Sequence, residues 1–189
     1  NMFKWLGYHD VLITSDLEKI KRSDKLIIPG VGSYKMAMEN LTNGGFLPIL
    51  EQKINRERVP CMGICLGMQL LFEKSEEGDC NGLGFLKGEV VRFNFDKYET
   101  KLRIPHIGWN FVDISRESLI AEDMFIENRF YFVHSYYAKC KDEEDILMTT
   151  QYNHKFVSGV ERNNIYGFQF HPEKSHKYGK KLFENFLKI

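Results

Sequence analysis

The chain has 189 residues, of which 43% are apolar and 14% aromatic, enough for one domain with a core of ordinary size. Lys+Arg and Asp+Glu number 26 each, so the formal net charge is zero and the basic excess typical of nucleic-acid binding is absent. No apolar run approaches the roughly 18 residues of a membrane span, and no secretory signal is recognisable. We therefore expect a single cytoplasmic domain over 1–189, with no membrane or nucleic-acid partner.

The first half of the chain alternates between predicted helices and strands. Phe3, Trp5 and Leu6 ahead of Gly7 indicate the end of a helix. The patterns that follow predict a strand at 11–14, a helix at 15–23 capped by Ser15, a strand at 25–30, helices at 33–41 and 46–57, a strand at 59–65 and a helix at 66–75. These strands are apolar throughout, which is typical of a parallel sheet covered by helices on both faces.

The second half is rich in predicted strands. They lie at 88–93, 101–112, 129–140, 146–153, 156–162 and 165–171 and are separated by turn residues. A polar segment at 73–82 is predicted to be a surface loop, and an amphipathic helix at 179–189 closes the chain. We expect an α/β fold with three layers around a mostly parallel central sheet.

The four cysteines show no disulfide pattern. Cys61, Cys65, Cys80 and Cys140 are irregularly spaced, which favours a reducing compartment. Cys61 and Cys65 would supply half of a zinc site, but no second pair with ligand spacing follows. We therefore predict no metal and no cofactor.

Cys65 lies in the segment Gly63-Ile64-Cys65-Leu66-Gly67, between a predicted strand and a predicted helix. This is the G-x-nucleophile-x-G pattern of a nucleophile elbow. A helix N-terminus directly after the cysteine favours the thiolate, and the N–H of Leu66 is placed to donate to an oxyanion. The alternative is that Cys65 is a small buried hydrophobe, as most free cysteines are. The pentamer alone leaves both interpretations open.

Two further segments carry groups that such a nucleophile needs. In "GFQFHPEKS" (167–175), His171 and Glu173 lie two residues apart, so on an extended chain the carboxylate and the imidazole point to the same side. A carboxylate that accepts from Nδ1 sets the tautomer of a catalytic histidine, although a surface His-Glu pair is equally compatible with the pattern. In "IIPGVGSY" (27–34), a Pro-Gly-Val-Gly loop offers backbone N–H groups to an anion, or is an ordinary turn.

Taken together, these segments resemble the class I glutamine amidotransferases, and more narrowly the HisH-type glutaminase subunits of imidazole glycerol phosphate synthase. The resemblance rests on "PGVGSY", "GICLGMQLLFEKSEEG", "GLGFLKGEVVRF", "IPHIGWN", "YFVHSYY" and "GFQFHPEKS", which run from about residue 29 to residue 175. It implies a glutaminase that releases ammonia through a γ-glutamyl thioester. The ammonia would pass to a HisF-type (β/α)8-barrel cyclase for imidazole glycerol phosphate synthesis in histidine biosynthesis.

The resemblance also implies a role for individual residues. Cys65 would be the nucleophile, His171 the acid and base, and Glu173 its orienting carboxylate. The oxyanion hole would be formed by backbone N–H groups of Leu66 and of Val31 or Gly32. Glutamine would be held by Gly30, Gln69, His134, Ser135 and Tyr136. The cyclase would dock on a surface that includes Pro105, His106, Trp109 and Asn110.

Other interpretations stay open at this stage. A HisH-like paralogue could supply ammonia to a HisF-like partner that aminates a surface-polysaccharide sugar, and an inactive binding module, a cysteine-elbow hydrolase or a papain-like protease could share the nucleophile. The complete triad disfavours the module, and the His-x-Glu pair after a β-rich half disfavours the other hydrolases. Members of the family begin with a βα unit ahead of the segment that matches "NMFKWLGY". We accordingly expect the expressed protein to be longer.

Overall fold

The computed structural model describes residues 2–95 and 102–189. The helices are α1 Met2–Trp5, α2 Leu17–Lys21, α3 Tyr34–Asn43, α4 Phe46–Glu51 with a π-helical turn Gln52–Arg56, α5 Leu66–Leu70 and α6 His176–Lys188. The strands are β1 Leu26–Ile28, β2 Cys61–Ile64, β3 Phe72–Ser75, β4 Cys80–Asn81, β5 Leu86–Arg92, β6 His106–Ile114, β7 Asn128–His134, β8 Tyr136–Cys140, β9 Ile146–Tyr152, β10 His154–Arg162 and β11 Ile165–Phe168. In this part of the chain, no helix has the length and apolar character needed to cross a membrane.

The strands form one mixed sheet. Its main path is β1-β2-β11-β10-β8-β5-β3-β4, and β6, β7 and β9 join it through β10. The pairs β1–β2, β2–β11 and β3–β5 are parallel, whereas β10 is antiparallel to β8, β9 and β11. The sheet is therefore mixed rather than mostly parallel. Strands β9, β10 and β11 follow one another through tight turns and so pair antiparallel.

Helices cover both faces of the sheet. The neighbouring residues Cys61 and Met62 on β2 point to opposite sides, as the pleat of a strand requires. Cys61 packs in a cluster with Leu50 and Ile54 of the α4 region, and Met62 packs in a cluster with Phe186 of α6. This arrangement confirms the three layers predicted from the apolar strands.

Residues 11–14 are not a strand, contrary to the prediction. They are irregular, and Leu12 is 70% and Ile13 103% exposed. An apolar run becomes a strand only where another strand offers its N–H and C=O groups. Within the described residues β1 pairs only with β2, so residues 11–14 have no strand as a partner. The helix that follows begins one residue later than predicted, because Asp16 and not Ser15 caps it by accepting from the N–H groups of Glu18 and Lys19.

Two other predicted elements are divided in the structure. The predicted helix 66–75 ends at Leu70, and Phe72–Ser75 is a strand that pairs with β4 and β5. The predicted loop 73–82 is therefore largely a hairpin. The predicted strand 129–140 breaks at Ser135 into β7, which pairs with β6, and β8, which pairs with β5. Residue 101, the start of the predicted strand 101–112, lies outside the described residues, and β6 begins at His106.

Candidate active site

Cys65 lies on a strained turn between β2 and α5. Its φ of 52° and ψ of −108° are unusual for a residue with a side chain, and its backbone N–H donates to the carbonyl of Phe168 at 2.7 Å. Such backbone strain persists only where the surrounding structure holds it, and it clusters at active sites. The side chain is 8% exposed. The geometry is that of a nucleophile elbow.

Two glycines allow the loop after β1 to pack against this elbow. A Cβ added to Gly67 would overlap the carbonyl oxygen of Ile28, the last residue of β1. A Cβ added to Gly30 would lie 2.5 Å from both the Gly67 nitrogen and the Leu66 Cβ. Since real Cβ atoms do not approach this closely, glycine is required at both positions for the loop 29–32 to reach the start of α5.

His171 and Glu173 form a hydrogen-bonded pair at the end of β11. His171 Nδ1 and Glu173 Oε1 are 2.7 Å apart, and the imidazole is 2% exposed. His171 is extended, as assumed from the sequence, but Glu173 lies in the 3-10 turn Pro172–Lys174 that follows it. Ser175 anchors the turn, because its hydroxyl donates to the His171 carbonyl at 2.6 Å and accepts from the Tyr131 N–H at 3.1 Å.

The charges around His171 favour its protonated form. Burial lowers the pKa of the imidazole, but the Cys65 sulfur and the Glu173 carboxylate raise it more, and the pKa reaches about 9. For Glu173, burial raises the pKa, and His171 more than offsets this, so the pKa is lowered. Nε2 of His171 makes no hydrogen bond of ordinary geometry within the described residues. Nδ1 is held by Glu173, so Nε2 is the nitrogen available to Cys65 and to a substrate.

The predicted oxyanion groups lie beside Cys65. Leu66 is the first residue of α5, where backbone N–H groups have no partner within the helix. Gly30 contacts this residue, which places the loop with Val31 and Gly32 next to the elbow. Val31 is 84% exposed, and Gly32 has a φ of 107°.

Several of the residues predicted to bind glutamine already have hydrogen-bond partners within the protein. Gln69 is 4% exposed, and its Nε2 donates to the carbonyl of Tyr136 at 3.0 Å. His134 Nδ1 contacts the same carbonyl at 2.8 Å. Ser135, between β7 and β8, uses its carbonyl to accept from the Phe93 N–H at 3.0 Å. These bonds order the backbone of 134–136 beside the nucleophile.

Gln169 also belongs to this site, although the sequence analysis did not single it out. It is fully buried, its Oε1 accepts from Gln69 Nε2 at 3.0 Å, and its Nε2 lies 3.8 Å from Cys65 Sγ. A polar residue within the apolar segment ahead of His171 was the signal that could have identified it, because a buried amide needs partners.

The segment predicted to bind the partner has an exposed and a buried side. On β6, Ile107, Trp109 and Phe111 are exposed, as is Pro105 just before the strand. His106 is buried, and Asn110 is partly buried with its amide donating to the Gln151 carbonyl at 3.0 Å. Only part of the predicted interface therefore lies on the surface. In the described ranges, no cluster of three His, Cys, Asp or Glu residues could hold a metal ion.

A family model described as glutamine amidotransferase class-I matches residues 6–189. The chain belongs to this family. Among its relatives, the chain is 50% identical over 188 residues to imidazole glycerol phosphate synthase subunit HisH 2 of Methanococcus maripaludis, covering 100% of this chain and 91% of the relative. It is 47% identical to subunit HisH of Sulfurimonas denitrificans, covering 100% and 90%. The recognition made from the motifs is thus confirmed.

Solved structures with the same amidotransferase fold are more distant in sequence. A crystal structure of a glutamine amidotransferase superposes with a TM-score of 0.75 at 17% identity, covering 99% of this chain and 89% of that one. The glutaminase domain of Trypanosoma brucei CTPS superposes with a TM-score of 0.65 at 16% identity, covering 99% and 84%. These similarities establish the fold.

Proposed function

We propose that this amidotransferase hydrolyses glutamine to glutamate and ammonia with Cys65, His171 and Glu173 as its catalytic triad. The observation that carries the proposal is the Cys65 elbow facing the hydrogen-bonded His171–Glu173 pair. A pKa of about 9 keeps His171 protonated at neutral pH. The site therefore holds a proton donor beside the cysteine before substrate binds.

The chemistry proceeds in two steps. The Cys65 sulfur attacks the side-chain carbonyl carbon of glutamine, and the backbone N–H groups of Leu66 and of the 31–32 loop stabilise the oxyanion. His171 protonates the leaving nitrogen, the C–N bond breaks and ammonia departs, leaving a γ-glutamyl thioester. His171, now neutral, takes a proton from water as the water attacks the thioester, and glutamate and the thiolate are released. Glu173 stabilises each imidazolium through Nδ1.

The acceptor of the ammonia is proposed to be a HisF-type cyclase that forms imidazole glycerol phosphate. The HisH relatives support this assignment, because they are named as subunits of imidazole glycerol phosphate synthase. The docking surface is the outer face of β6 and β7, formed by Ile107, Trp109, Phe111, Tyr131 and Val133 and called here the β6–β7 face. Trp109 and Tyr131 are cross-strand neighbours there, as are Ile107 and Val133.

The chemistry of the β6–β7 face suits a protein interface. Exposed apolar side chains grouped on one strand face mark interaction sites, and Trp is enriched among the residues that dominate binding. Trp109 also stacks on His176, with ring centroids 5.6 Å apart and planes 8° from parallel. Since His176 follows the turn that carries Glu173, the docking surface adjoins the active site.

The test is a glutaminase assay with and without a candidate cyclase. We expect glutamate release that requires Cys65 and increases with the cyclase, and formation of imidazole glycerol phosphate when the ribonucleotide precursor is supplied. Glutamate release by Cys65→Ala at the wild-type rate would refute the nucleophile. Glutaminase activity without formation of imidazole glycerol phosphate would be consistent with the proposed triad but would refute the proposed acceptor of the ammonia.

A second candidate acceptor follows from the numbering of some relatives. The relatives from Methanococcus maripaludis and Pseudomonas aeruginosa are named HisH 2. A paralogue of the same glutaminase would supply ammonia to a different HisF-like partner, one that aminates a surface-polysaccharide sugar. Complementation of a histidine-requiring strain lacking its HisH subunit separates the two functions, since only the histidine enzyme restores growth.

A further inference from the structure

A continuous series of hydrogen bonds joins strand β6 to the sulfur of Cys65. It begins at Asn110, whose Nδ2 lies 3.3 Å from His106 Nε2. His106 Nδ1 is 3.0 Å from His134 Nε2, and His134 Nδ1 is 2.8 Å from the carbonyl oxygen of Tyr136. These groups come from three strands, β6, β7 and β8, and meet behind the elbow.

The same carbonyl connects to Cys65 through two glutamines. Gln69 Nε2 donates to the Tyr136 oxygen and to Gln169 Oε1, both at 3.0 Å. Gln169 Nε2 then donates to Cys65 Sγ at 3.8 Å. We call the series Asn110, His106, His134, Tyr136 carbonyl, Gln69 and Gln169 the buried relay.

The Tyr136 carbonyl oxygen determines which atom is the donor in every hydrogen bond of the buried relay. A carbonyl oxygen can only accept, so His134 Nδ1 carries a proton and, in a neutral ring, His134 Nε2 accepts from His106 Nδ1. The amide of Gln69 must likewise turn its NH2 toward Tyr136. That orientation presents a donor to Gln169 Oε1 and leaves Gln169 Nε2 as the donor that faces the sulfur.

The histidines of the relay are neutral. His106 is 2% and His134 6% exposed. Burial lowers the pKa of His106 to about 4 and that of His134 to about 3. Both imidazoles are therefore neutral at pH 7 and keep the tautomers that these hydrogen bonds require.

We propose that Gln169 is a positioning residue that sets the reactivity of Cys65, and that the buried relay from Asn110 and His106 holds its amide in place. The sulfur has a second polar neighbour, the carbonyl of Val133 at 4.0 Å. A neutral thiol can donate to that carbonyl, whereas a thiolate only accepts, so the Gln169 N–H favours the thiolate. The proposal rests on the assignment of Cys65 as nucleophile.

The test is the rate at which iodoacetamide alkylates Cys65, followed by mass spectrometry of the cysteine peptides from pH 5 to pH 10. For Gln169→Leu we expect alkylation about tenfold slower at pH 7, as for loss of one hydrogen bond to a charged group. Gln169→Glu keeps the size and the acceptor toward Gln69 but places a carboxylate at the sulfur, so it is expected to be slower still. For His106→Phe, which keeps the ring packing and removes both nitrogens, the alkylation rate falls by roughly threefold.

The control is Asn185→Leu, which removes buried hydrogen bonds of 3.1 and 2.7 Å from α6 to the carbonyls of Ile120 and Glu122, none of which belongs to the relay. It should leave the Cys65 pH profile unchanged. Wild-type profiles for both Gln169 variants, or equal slowing by Asn185→Leu, would overturn the proposal. Alkylation of Cys65 requires no glutamine. If the variants show the expected alkylation rates but the wild type releases no glutamate, the proposed function is refuted and the role of Gln169 stands.

Discussion

The imidazole of His171 and the carboxylate of Glu173 are joined by a hydrogen bond of 2.7 Å between Nδ1 and Oε1. This bond leaves Nε2 for Cys65, the proposed nucleophile. Against the effect of burial, Cys65 and Glu173 together raise the pKa of His171 to about 9, so Glu173 sets the tautomer of the imidazole and contributes to its protonation.

Removing the charge of Glu173 should disable the base without moving it. For Glu173→Gln we expect kcat/KM for glutamine hydrolysis to fall about 100-fold, in the range that general acid–base catalysis contributes. The pKa of His171 should drop below about 9, so the imidazolium is lost at lower pH and the alkaline limb of the pH–rate profile moves to lower pH. Glu117→Gln, at an exposed site on another loop, is the control. An unchanged pH profile would contradict the role of Glu173.

Alanine variants of the neighbouring residues Cys61 and Cys65 should differ in both activity and stability. Cys65→Ala should abolish glutamate release and leave the fold intact. Cys61 is fully buried on β2, and burial raises the pKa of its thiol to about 12, so it stays a neutral thiol. Cys61→Ala should therefore keep activity and lose about 1 kcal/mol of unfolding free energy, as for one small buried group. Glutamate assays and urea unfolding test both, and loss of activity in Cys61→Ala with an intact fold would contradict the assignment.

The buried His106 should make the protein sensitive to acid. Its pKa is lowered by burial to about 4, while the unfolded chain titrates near 6.5, so the unfolded state binds more protons between these values. Stability is then fully present above about pH 6.5 and is lost as pH falls toward 4, by on the order of 3 kcal/mol for this residue. The raised pKa of His171 acts in the opposite direction near pH 7, but it does so equally in the wild type and in a variant at His106.

The variant His106→Phe should reduce that acid loss. Urea unfolding of the wild type and of His106→Phe at pH 7 and pH 4.5 gives the difference in each protein. We expect a smaller drop in unfolding free energy for the variant. Equal drops in the two proteins would show that His106 titrates normally in the folded state. Thr150→Val, which loses a buried hydrogen bond but no titratable group, controls for general destabilisation.

Trp109 should dominate binding of the cyclase. It is 46% exposed on the β6–β7 face, so Trp109→Ala should leave the folded chain stable while raising the Kd for the cyclase about thirtyfold, or about 2 kcal/mol. Titration calorimetry with the cyclase measures the affinity. Trp5→Ala, at an indole 69% exposed on α1, is the matched control and should bind normally. An unchanged Kd in Trp109→Ala would exclude this face as the interface.

The sequence allowed the nucleophile, the base and its orienting carboxylate to be predicted, because each lies in a short motif whose geometry depends only on neighbouring residues. Glycines around Cys65 allow a strained turn wherever it occurs, and a His-Pro-Glu segment brings its own two side chains together. The motifs also carried the family resemblance. Sheet pairing was harder to predict: residues 11–14 have the composition of a strand but no described partner, and Phe72–Ser75 became a strand because β4 and β5 pair with it.

The chain by itself thus determined the family to which the protein belongs, and it was enough to predict the triad Cys65, His171 and Glu173. Only the tertiary structure decided that Gln169 faces Cys65 and that His106, predicted to lie on the docking surface as part of "PHIGWN", is buried against His134. The physical reason is distance along the chain. The bonds from His106 to His134, from Gln69 to Tyr136 and from Gln169 to Cys65 join residues 28, 67 and 104 positions apart, and only strand pairing brings them within reach.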